Sequence, residues 1–293
     1  MESTLFTSER LEIVQHCCME EMKSSVTPAR LCTVMGKYFI KYGFCSYLRF
    51  QYHTQKYIYR MSAEDPEAPH VPQPVDFFKA SKGEIEDMDD DFSEHDDRRW
   101  YFVMENIEGA SPADTSYEGV AKAIQWLRDV PIPPGAGIGD LGGGYAHNRF
   151  FKDYDAPLRF ESIDALERYV NKGVDHTHPY SRPSKVSFAG EKLVFTQSDM
   201  ARSNFLLDKS GKVCLIDFEM VSILPESFAQ FTVRAMSFQD KEFGKNVAAC
   251  LNWPISPNYR SMAIVSGILL MMGSAKLGKL FNTEWLYLFA HFV

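Results

Sequence analysis

One stretch decides the fold: Phe195-Thr-Gln-Ser-Asp199-Met-Ala-Arg-Ser-Asn204-Phe-Leu-Leu-Asp208-Lys-Ser-Gly211-Lys-Val-Cys-Leu-Ile-Asp217-Phe218-Glu219. Two of its apolar runs, 205–207 and 213–216, flank a turn that contains Gly211, which predicts an antiparallel hairpin. Asn204 precedes the first run and Asp217 follows the second, so we expect the hairpin to bring these two side chains close together. Asp199 lies in the loop that follows another apolar run, 193–195, which we expect to be a strand.

The polar residues of this stretch are hard oxygen donors. An amide and a carboxylate across a hairpin suit Mg²⁺, which takes few protein ligands and completes its shell with water and phosphate oxygens. This interpretation assigns Asn204 and Asp217 to a metal and leaves Asp199 as a base. The alternative is that these are ordinary turn residues, because Asp-x-x-x-x-Asn often arises by chance. The order of strands and polar residues, however, matches the catalytic loop and metal-binding segment of kinases.

The chain at this point resembles the aminoglycoside phosphotransferase family of small-molecule kinases, which is related to choline kinases and protein kinases. The resemblance rests on Thr196–Asn204, Ile216–Glu219 and Leu224–Glu226. It implies that Asp199 is the catalytic base and that Asn204 and Asp217 are metal ligands. One position departs from the family pattern: Gln197 stands where the family usually has a His that supports the loop.

The resemblance also implies the fold class, an α+β, two-lobed protein-kinase-like fold. We expect a small, β-rich N-terminal lobe at 1–105 with a sheet and a helix. A larger, mainly helical C-terminal lobe is expected at 106–293, and it would carry the catalytic hairpin.

Composition describes an ordinary globular protein, with 45% hydrophobic and 24% charged residues among 293. The net charge of −8 argues against nucleic acid as a partner, since phosphate backbones are bound by basic surfaces. The six cysteines show no C-x-x-C spacing, which favours reduced thiols and a cytoplasmic location. The most apolar stretch, Met262–Ala275, is shorter than the ~20 residues of a membrane span, so we expect no membrane insertion.

The N-terminal region shows a helical pattern over 5–23, followed by two β-rich runs, 31–35 and 38–42, that predict a hairpin around Gly36. Lys41 lies in the second run. An exposed lysine on an edge strand is the plain alternative. The segment Ile-Lys-Tyr-Gly resembles the family's strand that carries the ATP-binding lysine, which implies that Lys41 contacts the α- and β-phosphates.

In kinases this lysine is held by a helical Glu. A helix is predicted over 48–59, and it offers Gln51 where the family usually has that Glu. A neutral amide can donate or accept a hydrogen bond but does not neutralise Lys41. No Gly-x-Gly-x-x-Gly loop precedes Lys41 in the sequence.

Two further strands are predicted at 75–78 and 100–104, and the acid-rich run between them, 83–97, reads as a solvated loop. The segment 101–109 resembles the hinge of the family, whose backbone groups bind the adenine edge. This resemblance implies that Met104, Glu105 and Ile107 bind the nucleotide. The alternative is an edge strand that ends at Gly109.

The remaining sequence is mainly helical, with helices predicted at 117–130, 162–170 and 262–275. The glycine-rich segment 135–144 follows prolines rather than a strand and is therefore interpreted as a loop and not as a phosphate site. Aromatic residues at 285–292 are expected to pack against the lobe.

The sequence thus predicts an ATP- and Mg²⁺-dependent phosphotransferase that moves the γ-phosphoryl group of ATP to a hydroxyl of a small molecule. It does not identify this acceptor or the oligomeric state. The alternative is a catalytically weak or inactive kinase-like scaffold that binds a nucleotide or another protein, which Gln197 and Gln51 favour.

Overall fold

The computed structural model describes residues 5–23, 31–43, 47–80, 85–86, 99–108, 110–235, 241–272 and 277. The helices are α1 (Thr7–Lys23), α2 (Tyr47–Ala63), α3 (Tyr117–Asp129), α4 (Ile163–Asp175), α5 (Glu226–Arg234), α6 (Lys241–Leu251) and α7 (Tyr259–Met271). The strands are β1 (Leu31–Met35), β2 (Tyr38–Gly43), β3 (Pro74–Ala80), β4 (Ile85–Glu86), β5 (Arg99–Glu105), β6 (Ser111–Pro112), β7 (Leu193–Gln197), β8 (Phe205–Leu207), β9 (Val213–Leu215) and β10 (Val221–Pro225).

These elements form two compact units. The first contains Met1–Ala113 and Phe205–Glu219, and the second contains Asp114–Asn204 and Met220–Val293. Strands predominate in the N-terminal part of the chain and helices in the C-terminal part. The predicted α+β fold class is therefore confirmed.

A five-stranded antiparallel sheet in the order β1-β2-β5-β3-β4 is the centre of the first unit. Alternate residues of β5 point to opposite faces of this sheet, because successive side chains of a strand alternate in direction. Tyr101 and Val103 pack in one apolar cluster with Ile13 of α1, whereas Phe102 and Met104 pack in another with Tyr52 of α2. The sheet is thus covered by one helix on each face.

The predicted β1–β2 hairpin is confirmed. Its strands pair antiparallel from Met35 opposite Tyr38 to Leu31 opposite Tyr42. Gly36 has φ +56° in the turn, a conformation that glycine adopts without the strain of a Cβ atom. The helix predicted over 48–59 is also present, as the longer α2.

The hairpin of β8 and β9 has the predicted antiparallel pairing, with Phe205 opposite Leu215. It belongs to the first unit, whereas the sequence prediction placed it in a C-terminal lobe at 106–293. The reason is its pairing: β8 bonds to β6, and His70 forms a parallel bridge with Cys214 of β9. The predicted lobe boundary at 105/106 itself stays a prediction.

The second unit is built around a large apolar cluster that α4, α5 and α7 share with Phe150, Phe151 and Phe188. The helix predicted over 162–170 is found as α4, and Ser162 caps it by accepting from the N–H of Ala165 at 3.2 Å. A two-stranded pair, β7 with β10, carries the chain into the loop of Asp199.

Strand β10 was not predicted, because the remaining sequence was interpreted as mainly helical. The helix predicted over 262–275 is found as α7, which begins at Tyr259 and ends at Met271. The loop part of the acidic run and the aromatic residues at 285–292 lie outside the described residues. None of the helices in the described ranges combines the length and the apolar character that crossing a membrane requires.

Candidate active site

In the second unit, a loop that follows β7 holds Asp199 by short-range hydrogen bonds. The Gln197 side-chain oxygen accepts from the Asp199 N–H at 3.1 Å, and the Ala201 N–H donates to Asp199 Oδ1 at 3.2 Å. Gln197 is buried in β7, so it fixes the loop from the strand side. The structure therefore gives Gln197 the supporting role that the family resemblance gave to a His at this position.

Asn204 is bound to Asp199. Its side-chain nitrogen donates to Asp199 Oδ2 at 3.0 Å and to the Asp199 carbonyl oxygen at 3.1 Å. Because the nitrogen faces Asp199, the amide oxygen of Asn204 points to the other side. This orientation leaves the oxygen as a donor for a metal ion, which is the chemistry that the sequence assigned to Asn204.

Behind this loop lies a buried polar network that the sequence analysis missed. Asn148 donates from its side-chain nitrogen to Ser198 Oγ and to Thr232 Oγ1, both at 2.9 Å. Arg149 donates from Nε to the Ser198 carbonyl oxygen at 3.3 Å, and its Nη2 lies 3.7 Å from Asp199 Oδ1. The guanidinium thus places positive charge beside Asp199. In the sequence, the only sign of this network was the polar pair Asn148-Arg149 directly before Phe150-Phe151.

The network continues to His147, which lies between two carboxylates. His147 Nε2 is 2.9 Å from Asp140 Oδ2, and Nδ1 is 2.6 Å from Asp155 Oδ1. Burial lowers the pKa of His147, but the hydrogen bonds and charges of Asp140 and Asp155 outweigh it and raise this pKa to about 10. Ser222 of β10 donates to Asp140 Oδ1 at 2.7 Å. The imidazolium is therefore a fixed positive charge near neutral pH.

The glycine-rich segment positions Asp140 in this network. Gly139 exchanges two backbone hydrogen bonds with Ile223 of β10, at 3.0 and 2.8 Å. Its φ is +112°, and a Cβ atom there would lie 2.5 Å from the Gly144 carbonyl oxygen. Glycine is thus required by the tight loop, and the prediction that 135–144 is a structural loop is confirmed.

In the first unit, Lys41 Nζ donates to Asp217 Oδ1 at 2.8 Å. The two residues are 176 positions apart in the chain, and both side chains are less than a fifth exposed. Asp217 has φ +60°, a left-handed conformation that is uncommon outside glycine and is often found at functional positions. The structure therefore brings together the predicted phosphate-binding cation and one predicted metal ligand.

Gln51 does not take the place of the helical Glu. Lys41 bonds to Asp217, whereas the nitrogen and oxygen of the Gln51 amide have no hydrogen-bond partner among the described residues. Gln51 is 2% exposed on the inner face of α2. The suggestion that it hydrogen-bonds Lys41 is therefore wrong for this structure.

Of the predicted hinge residues, Met104 and Glu105 end β5 and Ile107 follows it. The N–H of Glu105 donates to Gln73 O and that of Asn106 to Lys37 O, both at 2.9 Å. The Glu105 carboxylate contacts His70 Nε2 at 3.2 Å, and the hydrogen bond with His70 lowers the pKa of Glu105. Met104 is buried beneath α2, and Ile107 is half-buried after the strand. Backbone groups of this segment are thus partly used by the fold itself.

No family model matches the chain, and no curated protein matches it. The chain is similar to the crystal structure of aminoglycoside phosphotransferase APH(4)-Ia, with 16% identity, a TM-score of 0.48, and coverage of 87% of this chain and 88% of that one.

Two other solved structures show a comparable similarity. One is spectinomycin phosphotransferase APH(9)-Ia in complex with ADP and spectinomycin, with 11% identity, a TM-score of 0.49, and coverage of 87% of this chain and 86% of that one. The other is choline kinase LicA from Streptococcus pneumoniae, with 14% identity, a TM-score of 0.44, and coverage of 86% and 85%.

Proposed function

We propose that the protein is a phosphotransferase that moves the γ-phosphoryl group of ATP to a hydroxyl of a small molecule. The observation that carries this proposal is the 2.8 Å pair of Lys41 Nζ and Asp217 Oδ1. A cation for the phosphates and a carboxylate for a metal are the two charges that phosphoryl transfer requires at the nucleotide. They come from segments 176 residues apart, in the order expected of a kinase.

Asp199 is the proposed base. Its carboxylate orients the acceptor hydroxyl and takes its proton while the hydroxyl oxygen forms a bond to the γ-phosphorus and the bond to the β,γ-bridging oxygen breaks. The bonds to Ala201 and Asn204 hold this carboxylate in one orientation before substrate arrives. Arg149 Nη2 lies 3.7 Å from Asp199 Oδ1, so its guanidinium adds positive charge beside the proposed base.

The donor atoms fit Mg²⁺. Asn204 offers an amide oxygen because its nitrogen is bound to Asp199, and Asp217 offers a carboxylate. We propose these two residues as its ligands. When bound, Mg²⁺ neutralises phosphate charge and orients the γ-phosphoryl group.

We propose that Lys41 releases Asp217 when the nucleotide binds and then contacts its α- and β-phosphates. The hinge segment Met104, Glu105 and Ile107 is proposed to contact adenine. Since the N–H groups of Glu105 and Asn106 already donate to Gln73 and Lys37, the N–H of Ile107 is the donor that we assign to the adenine edge.

A second candidate is a kinase-like scaffold with little or no turnover. Its support is that Gln51 leaves Lys41 without a helical partner among the described residues, since Lys41 bonds to Asp217 instead. Such a protein would bind a nucleotide or a protein partner and release no phosphorylated product.

Thermal unfolding with ATP, with and without Mg²⁺, tests whether the protein binds the nucleotide, which the phosphotransferase proposal requires. At a hundredfold excess over Kd a ligand stabilises by about 2.7 kcal/mol. We expect MgATP to stabilise the wild type and Lys37→Met, but not Lys41→Met. Lys37 is the matched control, since it lies in the same hairpin and only its backbone bonds to Asn106. Absence of a shift at millimolar MgATP overturns the kinase proposal.

Turnover is then measured by release of ADP in the presence of a panel of amino alcohols, sugars and aminoglycosides. Stimulated ADP release that requires Mg²⁺ supports the phosphotransferase. Tight MgATP binding without release on any acceptor, and without phosphorylated product by mass spectrometry, supports the scaffold.

A further inference from the structure

A cluster of metal-ligating side chains in the first unit has no part in the proposed reaction. His70, Asp208 and Cys214 each offer one ligand atom, and these atoms all lie within 4.8 Å of one another. Imidazole, carboxylate and thiolate are together a donor set typical of zinc. Their positions in the sequence, 70, 208 and 214, gave no spacing that could reveal the cluster.

The backbone holds the His70 and Cys214 side chains in register. The His70 N–H donates to Val213 O at 2.8 Å, and the Leu215 N–H donates to His70 O at 2.9 Å. His70 and Cys214 are therefore paired residues of a parallel bridge, and paired residues direct their side chains to the same face of a sheet. The thiol is buried and the imidazole is about a quarter exposed, so an ion can reach it from solvent.

Asp208 is fixed by the turn that it begins. Its Oδ1 accepts from the N–H and the hydroxyl of Ser210 and from the N–H of Lys212, at 2.8, 2.6 and 3.0 Å. The turn uses only this oxygen. The other one, Oδ2, lies 3.3 Å from His70 Nδ1, which is close to the separation of two ligands on one tetrahedral zinc ion.

Glu105 supplies an independent sign of a metal site. Its carboxylate lies 3.2 Å from His70 Nε2 and also accepts from the Gln73 N–H at 3.0 Å. A metal-bound His almost always donates its second ring N–H to a carboxylate or carbonyl, which fixes the tautomer and turns the other nitrogen to the metal. Here that other nitrogen is Nδ1, the one that faces Asp208.

We propose that His70 Nδ1, Asp208 Oδ2 and Cys214 Sγ bind a zinc ion, with Glu105 orienting the imidazole and water completing the coordination. The ion fastens the segment that precedes β3 to the β8–β9 hairpin, which leads to Asp217. None of the three ligands is proposed to bind Mg²⁺ or the nucleotide, and only Glu105 takes part in both proposals, so failure of the zinc site leaves the Mg²⁺ and nucleotide proposals intact.

The competing explanation is a plain ion-pair cluster. Hydrogen bonds to Cys214 and Glu105, and a weaker one to Asp208, raise the pKa of His70 to about 10, although burial lowers it. The imidazolium would then itself be the positive charge that the surrounding groups attract. The two explanations differ in whether the cluster takes up a metal.

In the test, the full-length, metal-stripped protein is titrated with Co²⁺, and the bound Co²⁺ is then displaced by Zn²⁺. We expect one ion per chain, tetrahedral Co²⁺ absorption in the visible region, and a thiolate-to-cobalt charge-transfer band in the near ultraviolet. Cys214→Ser should lose the charge-transfer band and weaken zinc binding. Cys250→Ser, which removes an exposed thiol elsewhere, should leave both unchanged.

Two further variants keep the test decisive if Cys214→Ser does not fold. Asp208→Asn retains Oδ1 for the turn while it removes a charged ligand, and it should weaken zinc binding. Glu105→Gln should weaken it by about 10- to 100-fold, the usual effect of losing the carboxylate behind a ligating His. The proposal is overturned if the wild type takes up no Co²⁺ or Zn²⁺, or if the affinity of Asp208→Asn or Cys214→Ser equals that of the Cys250→Ser control.

Discussion

The side-chain nitrogen of Asn204 donates to Asp199 Oδ2 at 3.0 Å. This single bond orients two groups at once, because it fixes the carboxylate of Asp199 and turns the amide oxygen of Asn204 away from it. A five-residue spacing therefore has a physical meaning. In the proposed site, this spacing would let one amide tether the base through its nitrogen and bind the metal through its oxygen.

Asp199→Asn tests the base. We expect phosphoryl transfer to fall by about 10²- to 10⁴-fold, the usual contribution of general base catalysis, while MgATP still stabilises the protein. Asp114→Asn is the matched control, since Asp114 is an exposed carboxylate of the same unit that lies 4.0 Å from Arg202. Full activity of Asp199→Asn in a preparation where Asp114→Asn is active contradicts the assignment.

His147 predicts how stability depends on pH. Its pKa in the folded protein, about 10, is above the value near 6.5 of an unfolded chain. The contribution of protonated His147 to the free energy of unfolding is therefore complete below pH 6.5. It is lost as the pH rises towards 10, by up to about 1.4 kcal/mol per pH unit.

Urea unfolding between pH 6.5 and 9.5 measures this loss. We expect a shallower decline in His147→Gln than in the wild type, because the substituted side chain carries no titrating charge between Asp140 and Asp155. His176→Gln, in which a half-buried His of the same unit is replaced, should decline like the wild type. Parallel curves for the wild type and His147→Gln would show that the two carboxylates do not hold a proton on His147.

Two helical glycines predict opposite effects of the same substitution. A Cβ atom at Gly173 in α4 would lie 2.4 Å from Cγ1 of Val265 in α7, and the β-branched side chain of Val265 has little rotamer freedom to yield. A Cβ atom at Gly267 in α7 would have no neighbour within 4 Å.

We expect Gly173→Ala to lower the free energy of unfolding by about 1–3 kcal/mol through overpacking. Gly267→Ala should raise it by about 0.5–1 kcal/mol, since alanine has the higher helix propensity. Chemical denaturation of both variants measures the sign of the change in the free energy of unfolding. Equal effects would show that α4 and α7 do not approach as closely as the structure has them.

Gln51 predicts a gain in stability from the loss of a polar group. Neither polar atom of its buried amide has a partner among the described residues, and such a group costs about 1–3 kcal/mol. Gln51→Met has a similar volume and should raise the melting temperature. Gln55→Met should not, because Gln55 donates to Pro72 O at 2.9 Å one turn further along α2. A lower melting temperature for Gln51→Met would show that the amide is satisfied in solution.

The elements that the sequence predicted are those specified by local signals. The β1–β2 hairpin combines β-rich runs with Gly36, and α4 begins at a Ser that caps it, so both could be found by reading along the chain. Strand β10 could not, because Val221–Pro225 is entirely buried and shows no alternation of polar and apolar residues. Its partner, β7, lies more than twenty residues earlier in the chain.

The residues of the candidate site also divide into those that local sequence signals reveal and those that only the folded chain brings together. Asp199 and Asn204 form a contact within one loop, and their spacing predicted a functional pair. Arg149 lies 50 residues before Asp199, and only the folded chain places its guanidinium beside that carboxylate. Gln51 was considered as a partner of Lys41 because it stands where the resembling family has a helical Glu. The folded chain instead brings the distant Asp217 to Lys41, and no sequence signal indicated this pairing.

The hairpin of β8 and β9 makes the first unit discontinuous in the sequence, since Phe205–Glu219 returns to it after more than ninety residues of the second unit. During synthesis on the ribosome, β6 and the backbone of His70 have no bonding partner until these strands emerge. The first unit is thus completed late in translation. A gene fragment that ends at Ala113 would encode neither the hairpin nor Asp217, so a stable, isolated first unit requires a permuted gene that joins 205–219 to it.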